Sequence, residues 1–114
     1  MTPSAADRLR IGMAPTGPFL VPARFVSPVT LRVVLRLNGD VLQDGPTGDM
    51  IFDVARLIEY ASAITELCPG GPLMTGNPAG NGAHYNRCLQ PDDILEGEIT
   101  GLGIQRNRCV AGAE

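Results

Sequence analysis

The clearest hydrophobic pattern in the sequence is an alternation over residues 30–37. Its apolar phase consists of Leu31, Val33, Leu35 and Leu37. A period of two predicts a β-strand with one buried face. Asn38-Gly39 follows, and because both residues tolerate positive φ they predict a two-residue hairpin turn with a return strand over residues 41–43. The pattern therefore predicts a β-hairpin in the first half of the chain.

A second pattern, with helical spacing, begins after Asp53. Its apolar positions are Val54, Leu57, Ile58, Ala61, Ile64 and Leu67. These positions lie on one face of a helix, and the Asp53 carboxylate can cap the free N–H groups of the first turn. Pro69 and the two glycines after it end the pattern. One short helix is therefore predicted near residues 53–67.

The rest of the chain predicts short strands separated by loops. Residues 1–10 are expected to form a flexible lead-in, and a single domain is predicted over residues 11–114. Further extended segments or strands are predicted over residues 19–21, 73–75, 94–100 and 102–109. The Gly- and Asn-rich residues 76–82 predict an irregular loop. The predicted fold class is therefore mainly β (α+β), a roll or sandwich of five or six short strands with one helix.

Composition and charge narrow the class of protein. The 114 residues are 44% hydrophobic with 14 Gly and 10 Pro, which is typical of a turn-rich globular domain. The 12 acidic and 9 basic residues are interspersed, without a basic stripe or a membrane-length apolar run, so neither nucleic acid nor a membrane is an expected partner. All the basic residues are Arg, which excludes Schiff-base chemistry by lysine. Cys68, Cys88 and Cys109 contain no CxxC pair, which predicts a reduced cytoplasmic chain.

Seven short segments of the sequence follow one another in a recognisable order. They are residues 14–21 (APTGPFLV), 31–39 (LRVVLRLNG), 43–52 (QDGPTGDMIF), 68–70 (CPG), 75–80 (TGNPAG), 89–93 (LQPDD) and 101–107 (GLGIQRN). In this order they resemble the fumarylacetoacetate hydrolase family over residues 8–110, which correspond to the C-terminal half of that family's catalytic domain. The resemblance implies a truncated form of the family's mixed β-sandwich roll.

The resemblance also implies an activity and its requirements. Members of the family act on small oxo-acids or related carbonyl compounds as hydrolases, lyases or isomerases, by C–C bond hydrolysis, decarboxylation, tautomerisation or cyclisation. They work around Mg²⁺ or another divalent ion held by carboxylates. Those carboxylates belong to Glu-x-Glu and Asn-Asp motifs upstream of the segment at residues 14–21, and this sequence does not contain them. A divalent ion is therefore expected only if a partner chain supplies its ligands.

A half-domain is expected to expose apolar surface, which predicts a homo-oligomer or a hetero-complex. Two hypotheses of function stay open. In the first, the chain takes part in oxo-acid chemistry, either with a partner chain or by metal-free acid–base catalysis. In the second, it is a non-catalytic truncated subunit or an interaction domain that needs a partner chain.

The resemblance places the substrate-binding residues at two points of the chain. Thr75 and Gly76 match the family's substrate-side turn, and Asn77 stands where the family has a substrate-contacting Thr. An Asn there keeps both a hydrogen-bond donor and an acceptor. Arg8 stands where members have a Lys, and a guanidinium keeps the charge but cannot accept a proton.

His84, the only histidine, is the predicted general base because histidine exchanges a proton near neutral pH. Tyr85 is next to it and is a second possible catalytic residue. Cys88 paired with His84 as a nucleophile is the less favoured arrangement, since no third residue that would orient the histidine is visible in the sequence. Gln43 and Thr47 are interpreted as structural residues that fix the turn.

The acidic residues are interpreted as surface residues rather than metal ligands. Two groups invite comparison with a cation site: Asp40, Asp44, Asp49 and Asp53, and the alternating pair Glu96 and Glu98. The first group matches no known ligand loop, and turn formation and helix capping explain it better. The second group lies on a late strand, where a solvated face is the simpler interpretation.

Overall fold

Four strands form one antiparallel sheet in the computed structural model, which describes residues 14–112. The strands are β1 (Arg32–Leu37), β2 (Asp40–Pro46), β3 (Ile94–Ile99) and β4 (Gly103–Arg108). They lie side by side in the order β2-β1-β3-β4. A short 3-10 turn (Thr47–Asp49) and one helix, α1 (Val54–Ile64), separate the β1–β2 hairpin from the β3–β4 hairpin. The predicted mainly-β fold with one helix is confirmed.

Both hairpins close where the sequence predicts. Asn38 and Gly39 have φ angles of 51° and 92°, the left-handed values that a tight two-residue hairpin turn requires. Gly101 and Gly103 also have positive φ at the turn between β3 and β4. The return strand β2 is longer than predicted, because the ladder with β1 continues as far as Pro46.

The helix begins as predicted but ends earlier. The Asp53 side chain accepts a hydrogen bond from the Arg56 N–H at 2.8 Å, which is the expected N-terminal cap. The helix ends at Ile64 rather than near residue 67, because Thr65 adopts an extended conformation. No helix in the described part of the chain is long and apolar enough to cross a membrane.

Two predicted extended segments do not become strands. Residues 19–21 and residues 73–75 belong to no strand, so the described residues contain four strands rather than five or six. Met74 is 81% exposed, and the prediction of a strand over residues 73–75 is wrong. An apolar run forms a strand only when a neighbouring strand accepts its backbone hydrogen bonds, and none does so here among residues 14–112. The predicted lead-in, residues 1–10, lies outside the described residues.

The core of the sheet is small. Strand β1 forms as predicted, with Val33, Leu35 and Leu37 opposite Ile99, Gly97 and Leu95 of β3, respectively. Its burial does not alternate, since residues 33–36 are all half-buried and only Leu37 is buried. Leu37, at 5% exposure, is the only buried apolar side chain among the described residues. Large apolar side chains are exposed elsewhere, as at Phe19, Leu20, Phe25, Ile51, Phe52, Ile58, Tyr60 and Ile64. The described residues therefore present far more apolar surface than an isolated domain normally leaves in water.

One buried carboxylate fixes the approach to β3. Asp93 is 6% exposed, and its Oδ1 atom accepts from Asn38 Nδ2 at 2.8 Å and from Arg87 Nη2 at 2.9 Å. Its Oδ2 atom accepts from the Gln90 N–H at 2.8 Å. These three donors, of which the Gln90 N–H has the largest effect, lower the pKa of Asp93 to about 2. The carboxylate thereby connects the β1–β2 turn to the segment that precedes β3.

An extra residue in β2 fixes the loop at residues 77–85. Gln43 is opposite Leu35 and Val41 is opposite Arg36, so Leu42 between them has no partner in the ladder. The Leu42 carbonyl oxygen accepts a hydrogen bond from the Tyr85 hydroxyl at 3.0 Å. Gly80 lies against the same carbonyl, so closely that a Cβ atom on Gly80 would overlap it.

The pH dependence of the free energy of unfolding tests the hydrogen-bond network around Asp93. The folded-state pKa of about 2 lies below the ordinary value of 3.8, so the unfolded chain binds the proton more tightly than the folded chain. The network's contribution to the free energy of unfolding is therefore complete above about pH 4 and is lost as the pH falls towards 2. Asp93→Asn should lower the urea concentration at the unfolding midpoint at pH 7. Below pH 4, this midpoint should fall less steeply with decreasing pH in the variant than in the native chain. Asp92→Asn, at an exposed neighbouring carboxylate, is the matched control, and equal midpoints for the two variants at pH 7 would contradict the prediction.

Alanine substitution of two glycines tests the contact between the loop and β2. Gly80 and Gly76 both have positive φ, 115° and 96°, so alanine strains the backbone at either position. Only at Gly80 does the new Cβ meet the Leu42 carbonyl, whereas Gly76 has open space around it. Gly80→Ala should raise amide hydrogen-exchange rates over residues 77–85 by about tenfold or more, and Gly76→Ala much less. Equal effects would show that the Leu42 contact does not hold the loop.

Candidate functional site

Asn81 joins two of the predicted site residues to the sheet. Its Oδ1 atom accepts from Gln43 Nε2 at 3.0 Å and from Asn77 Nδ2 at 2.7 Å. Its backbone carbonyl accepts from the His84 N–H at 2.8 Å. Gln43 is 7% exposed and belongs to β2, so this short hydrogen-bonded chain begins inside the sheet. The structure therefore brings Asn77 and His84 to the same part of the loop.

The side chains of His84 and Tyr85 have different surroundings. Their rings meet edge to face, with centroids 4.9 Å apart. His84 is exposed, and its ring nitrogens have no hydrogen-bond partner among residues 14–112, which leaves them accessible to a bound molecule. The Tyr85 hydroxyl instead donates to the Leu42 carbonyl. Tyr85 therefore holds the loop against β2, and its proposed catalytic role stays a prediction.

The predicted substrate-binding residues Thr75, Gly76 and Asn77 are all exposed. Thr75 and Gly76 are exposed and lead into the turn at Asn77, with Gly76 in the positive-φ conformation that glycine permits. Asn77 is also exposed, and its Nδ2 atom makes a second hydrogen bond, to the Pro78 carbonyl at 3.0 Å. Arg8 lies outside the described residues.

The two residues interpreted as structural act at different distances. Thr47 is a structural residue, but its contacts are not local: its Oγ1 accepts from the Leu31 N–H at 3.0 Å and its backbone N–H donates to the Leu31 carbonyl at 2.8 Å, which joins the end of β2 to the residue before β1. Gln43 does not fix the turn either. Its amide contacts Asn81 instead, 38 positions further along the chain. The sequence alone does not indicate the role of Asn81, because this residue lies in a Gly-rich loop without a periodic hydrophobic pattern. The one available signal is a polar residue at a buried strand position, as at Gln43.

Asp44, Glu96 and Glu98 pair with arginines, Asp53 caps the helix, and Asp40 and Asp49 are exposed. Asp44 forms two hydrogen bonds of 2.6 Å with Arg32, and the hydrogen bond from that guanidinium lowers the pKa of Asp44. Glu98 and Glu96 are half-buried and lie 2.9 and 3.6 Å from Arg36 Nη1, so their strand face carries an ion-pair cluster rather than solvated glutamates alone. Within residues 14–112, no three His, Cys, Asp or Glu side chains come together in a way that could hold a metal ion. These residues do not by themselves fit a divalent cation.

Comparison with known proteins shows which family this chain resembles. The sequence model of the family described as fumarylacetoacetate (FAA) hydrolase C-terminal matches residues 1–110. An uncharacterized protein of Methanocaldococcus jannaschii is 40% identical over 93 residues, which are 82% of this chain and 36% of that protein. The chain thus spans little more than a third of the length of that relative.

Two solved structures share the fold. A fumarylacetoacetate hydrolase from the psychrophile Exiguobacterium antarcticum superposes with a TM-score of 0.81 and 32% identity, over 89% of this chain and 37% of that one. Maleylpyruvate hydrolase from Sphingobium sp. SYK-6, in complex with manganese(II) and pyruvate, superposes with a TM-score of 0.80 and 31% identity. The match covers 89% of this chain and 37% of that one. The family model and these structures agree with the order of segments in the sequence and with the sheet that they form. The chain belongs to the fumarylacetoacetate hydrolase family, and it corresponds to the C-terminal part of that family's domain.

Proposed function

We propose that this chain forms the loop-bearing part of a fumarylacetoacetate hydrolase-type site that acts on a small oxo-acid. The observation that supports the proposal is the attachment of the loop to β2 through Asn81, which binds both the Asn77 side chain and the His84 backbone N–H. In the proposed reaction, Asn77 contacts the substrate and His84 transfers a proton. The class of reaction is C–C bond hydrolysis, decarboxylation or tautomerisation of the oxo-acid.

A divalent ion would supply the electrophile in this proposal. Manganese(II) accompanies pyruvate in the structure of maleylpyruvate hydrolase, which has the same fold in this region. Because residues 14–112 do not fit such an ion, we propose that its carboxylate ligands come from the remaining part of a complete site, contributed by a partner chain. When bound, the ion would stabilise negative charge on the substrate oxygen. The cytoplasmic location inferred from the cysteines stays a prediction.

A non-catalytic role as an interaction subunit is the second candidate. The observation that favours it is the apolar surface around α1, a helix with no fully buried residue. Phe52, Tyr60 and Ile64 are 61%, 71% and 68% exposed. Apolar surface of this kind marks a contact with another protein segment. In this alternative the chain assembles with a partner and contributes no turnover.

Substitution of His84 tests the catalytic proposal. In an assay with acylpyruvates and oxaloacetate, with and without Mg²⁺ or Mn²⁺, His84→Gln should lower kcat/KM by about 10²- to 10⁴-fold, the usual contribution of a general base. Cys88→Ala is the matched control, since Cys88 is exposed four positions after His84 and has no role in the proposal. Equal activity of the His84→Gln variant and the native chain would remove His84 from the mechanism. Absence of turnover in every condition, with the chain fully assembled, would favour the interaction role.

The mass of the chain in solution tests the proposed assembly. Native mass spectrometry should show a species heavier than one chain, because the apolar surface around α1 is unfavourable in water. Ile64→Glu should shift the population towards the monomer, whereas Ser62→Glu, at another exposed position of α1, should not. A native chain that is monomeric at micromolar concentration would contradict self-association, and a hetero-complex with a different chain would then be the only assembly consistent with the proposal.

A further inference from the structure

Strand β4 is an open edge of the sheet. The order β2-β1-β3-β4 leaves two edge strands, β2 and β4. The loop at residues 77–85 lies against β2, where the Tyr85 hydroxyl and Gly80 both contact the Leu42 carbonyl. Within residues 14–112, no segment forms backbone hydrogen bonds with the outer side of β4. An uncovered edge presents a row of donors and acceptors to which another strand can add.

The hydrogen bonds at the end of β4 show which of its backbone groups face the open side. The Cys109 N–H donates to the Asp93 carbonyl at 2.8 Å, and the Cys109 carbonyl accepts from the Asp92 N–H at 2.9 Å, so Cys109 faces β3. Backbone groups alternate in direction along an antiparallel strand, and every second residue before Cys109 therefore faces β3 as well. The N–H and C=O groups between them point to the open side, at three exposed residues: Ile104, Arg106 and Arg108.

The side chains next to this edge form a row in which the charge alternates. Arg36, Glu96 and Arg106 lie opposite one another on β1, β3 and β4. Arg36 Nη1 is 3.6 Å from Glu96. The row ends at β4 with a positive charge, and in the described part of the chain no carboxylate lies within 4.0 Å of the Arg106 guanidinium. Because opposite charges on facing strands stabilise a sheet, a negative charge on a further strand would continue the row.

A second copy of β4 is a poor fit to this edge. In the antiparallel register that pairs the whole outer side of two copies, Arg106 is opposite Arg106. Like charges at facing positions destabilise a strand pair. Arg108 is already paired with Asp92 at 3.1 Å, so selection by charge depends on Arg106. The edge therefore fits a strand of different sequence with an acidic residue opposite Arg106.

We propose that the outer side of β4 binds an extended acidic segment of a partner chain, which adds to the sheet as a fifth, antiparallel strand. An acidic side chain lies opposite Arg106, and an apolar side chain lies opposite Ile104, which is 51% exposed. Read from its N-terminus, the partner strand then has an acidic residue two positions before an apolar one. This inference rests on the partner chain of the proposed function, and it does not depend on the proposed reaction.

Two synthetic peptides test the acidic partner strand. Both are capped at their ends; one reads Thr-Thr-Glu-Thr-Val-Thr-Thr, and the other has Lys in place of Glu. When titrated into the ¹⁵N-labelled full chain, the Glu peptide should slow amide exchange at Arg106 and Arg108. It should bind about fivefold more tightly than the Lys peptide, the effect of one cross-strand charge pair. Arg106→Gln should abolish this preference, whereas Arg24→Gln, at an exposed position outside the sheet, should preserve it.

Amide exchange of the free chain distinguishes the other possible occupants. The N–H groups of Ile104, Arg106 and Arg108 should exchange fast, and those of Gln105 and Asn107 slowly. Slow exchange at all five positions that persists on dilution would show that another segment of the same chain occupies the edge. Slow exchange that is lost on dilution would assign the edge to a second copy, and either result would overturn the proposal.

Equal affinity for the two peptides, or no binding of either at millimolar concentration, would also overturn the proposal. None of these measurements requires turnover. A chain that selects the Glu peptide but has no activity would therefore contradict the proposed reaction alone, and an active chain that binds neither peptide would contradict the acidic partner strand alone.

Discussion

The unpaired residue Leu42 in β2 is the constraint on which the arrangement of the loop depends. A regular ladder would turn its carbonyl towards a neighbouring strand, but the extra residue leaves that oxygen available to the Tyr85 hydroxyl. It also shifts the register by one, so that Gln43 is opposite Leu35 on the inner face and extends towards Asn81. Without this shift, the alternation along the strand would direct the Gln43 amide to the other face of the sheet. One inserted residue thus provides both of the contacts that hold the loop.

A second constraint acts at the opposite end of the same hairpin. Asn38 donates to the Asp93 carboxylate and accepts from the Ile94 N–H at 2.9 Å, so the β1–β2 turn is bound to the beginning of β3. Arg87, three positions after His84 in the sequence, donates to the same carboxylate. The loop is therefore fastened on both sides, by Leu42 and Gln43 at one side and by Asp93 at the other. A loop held at two points can present side chains in a fixed geometry although nearly all of its residues are exposed.

The same molecule combines this ordered loop with a poorly covered sheet. Leu37 is the only buried apolar side chain in the described residues, and α1 has no buried residue. The chain spans little more than a third of the length of the relatives that it matches. Exposed apolar surface of this extent is typical of a region that packs against another segment or chain. Fold and family do not by themselves determine the reaction, which depends on the groups that meet at the loop.

The sequence by itself determined the local elements of this protein. Strand β1, the Asn38-Gly39 turn and the Asp53 cap each depend on residues that are close in the chain, and the structure contains all three. The order of seven short segments was enough to indicate the family. The run at residues 73–75 was predicted wrongly, because apolar composition alone does not provide a neighbouring strand. Only the tertiary structure decided the contacts of Gln43 with Asn81 and of Asn38 with Asp93, which join residues 38 and 55 positions apart. Such contacts depend on strand register and on a single unpaired residue, and neither leaves a periodic signal in the sequence.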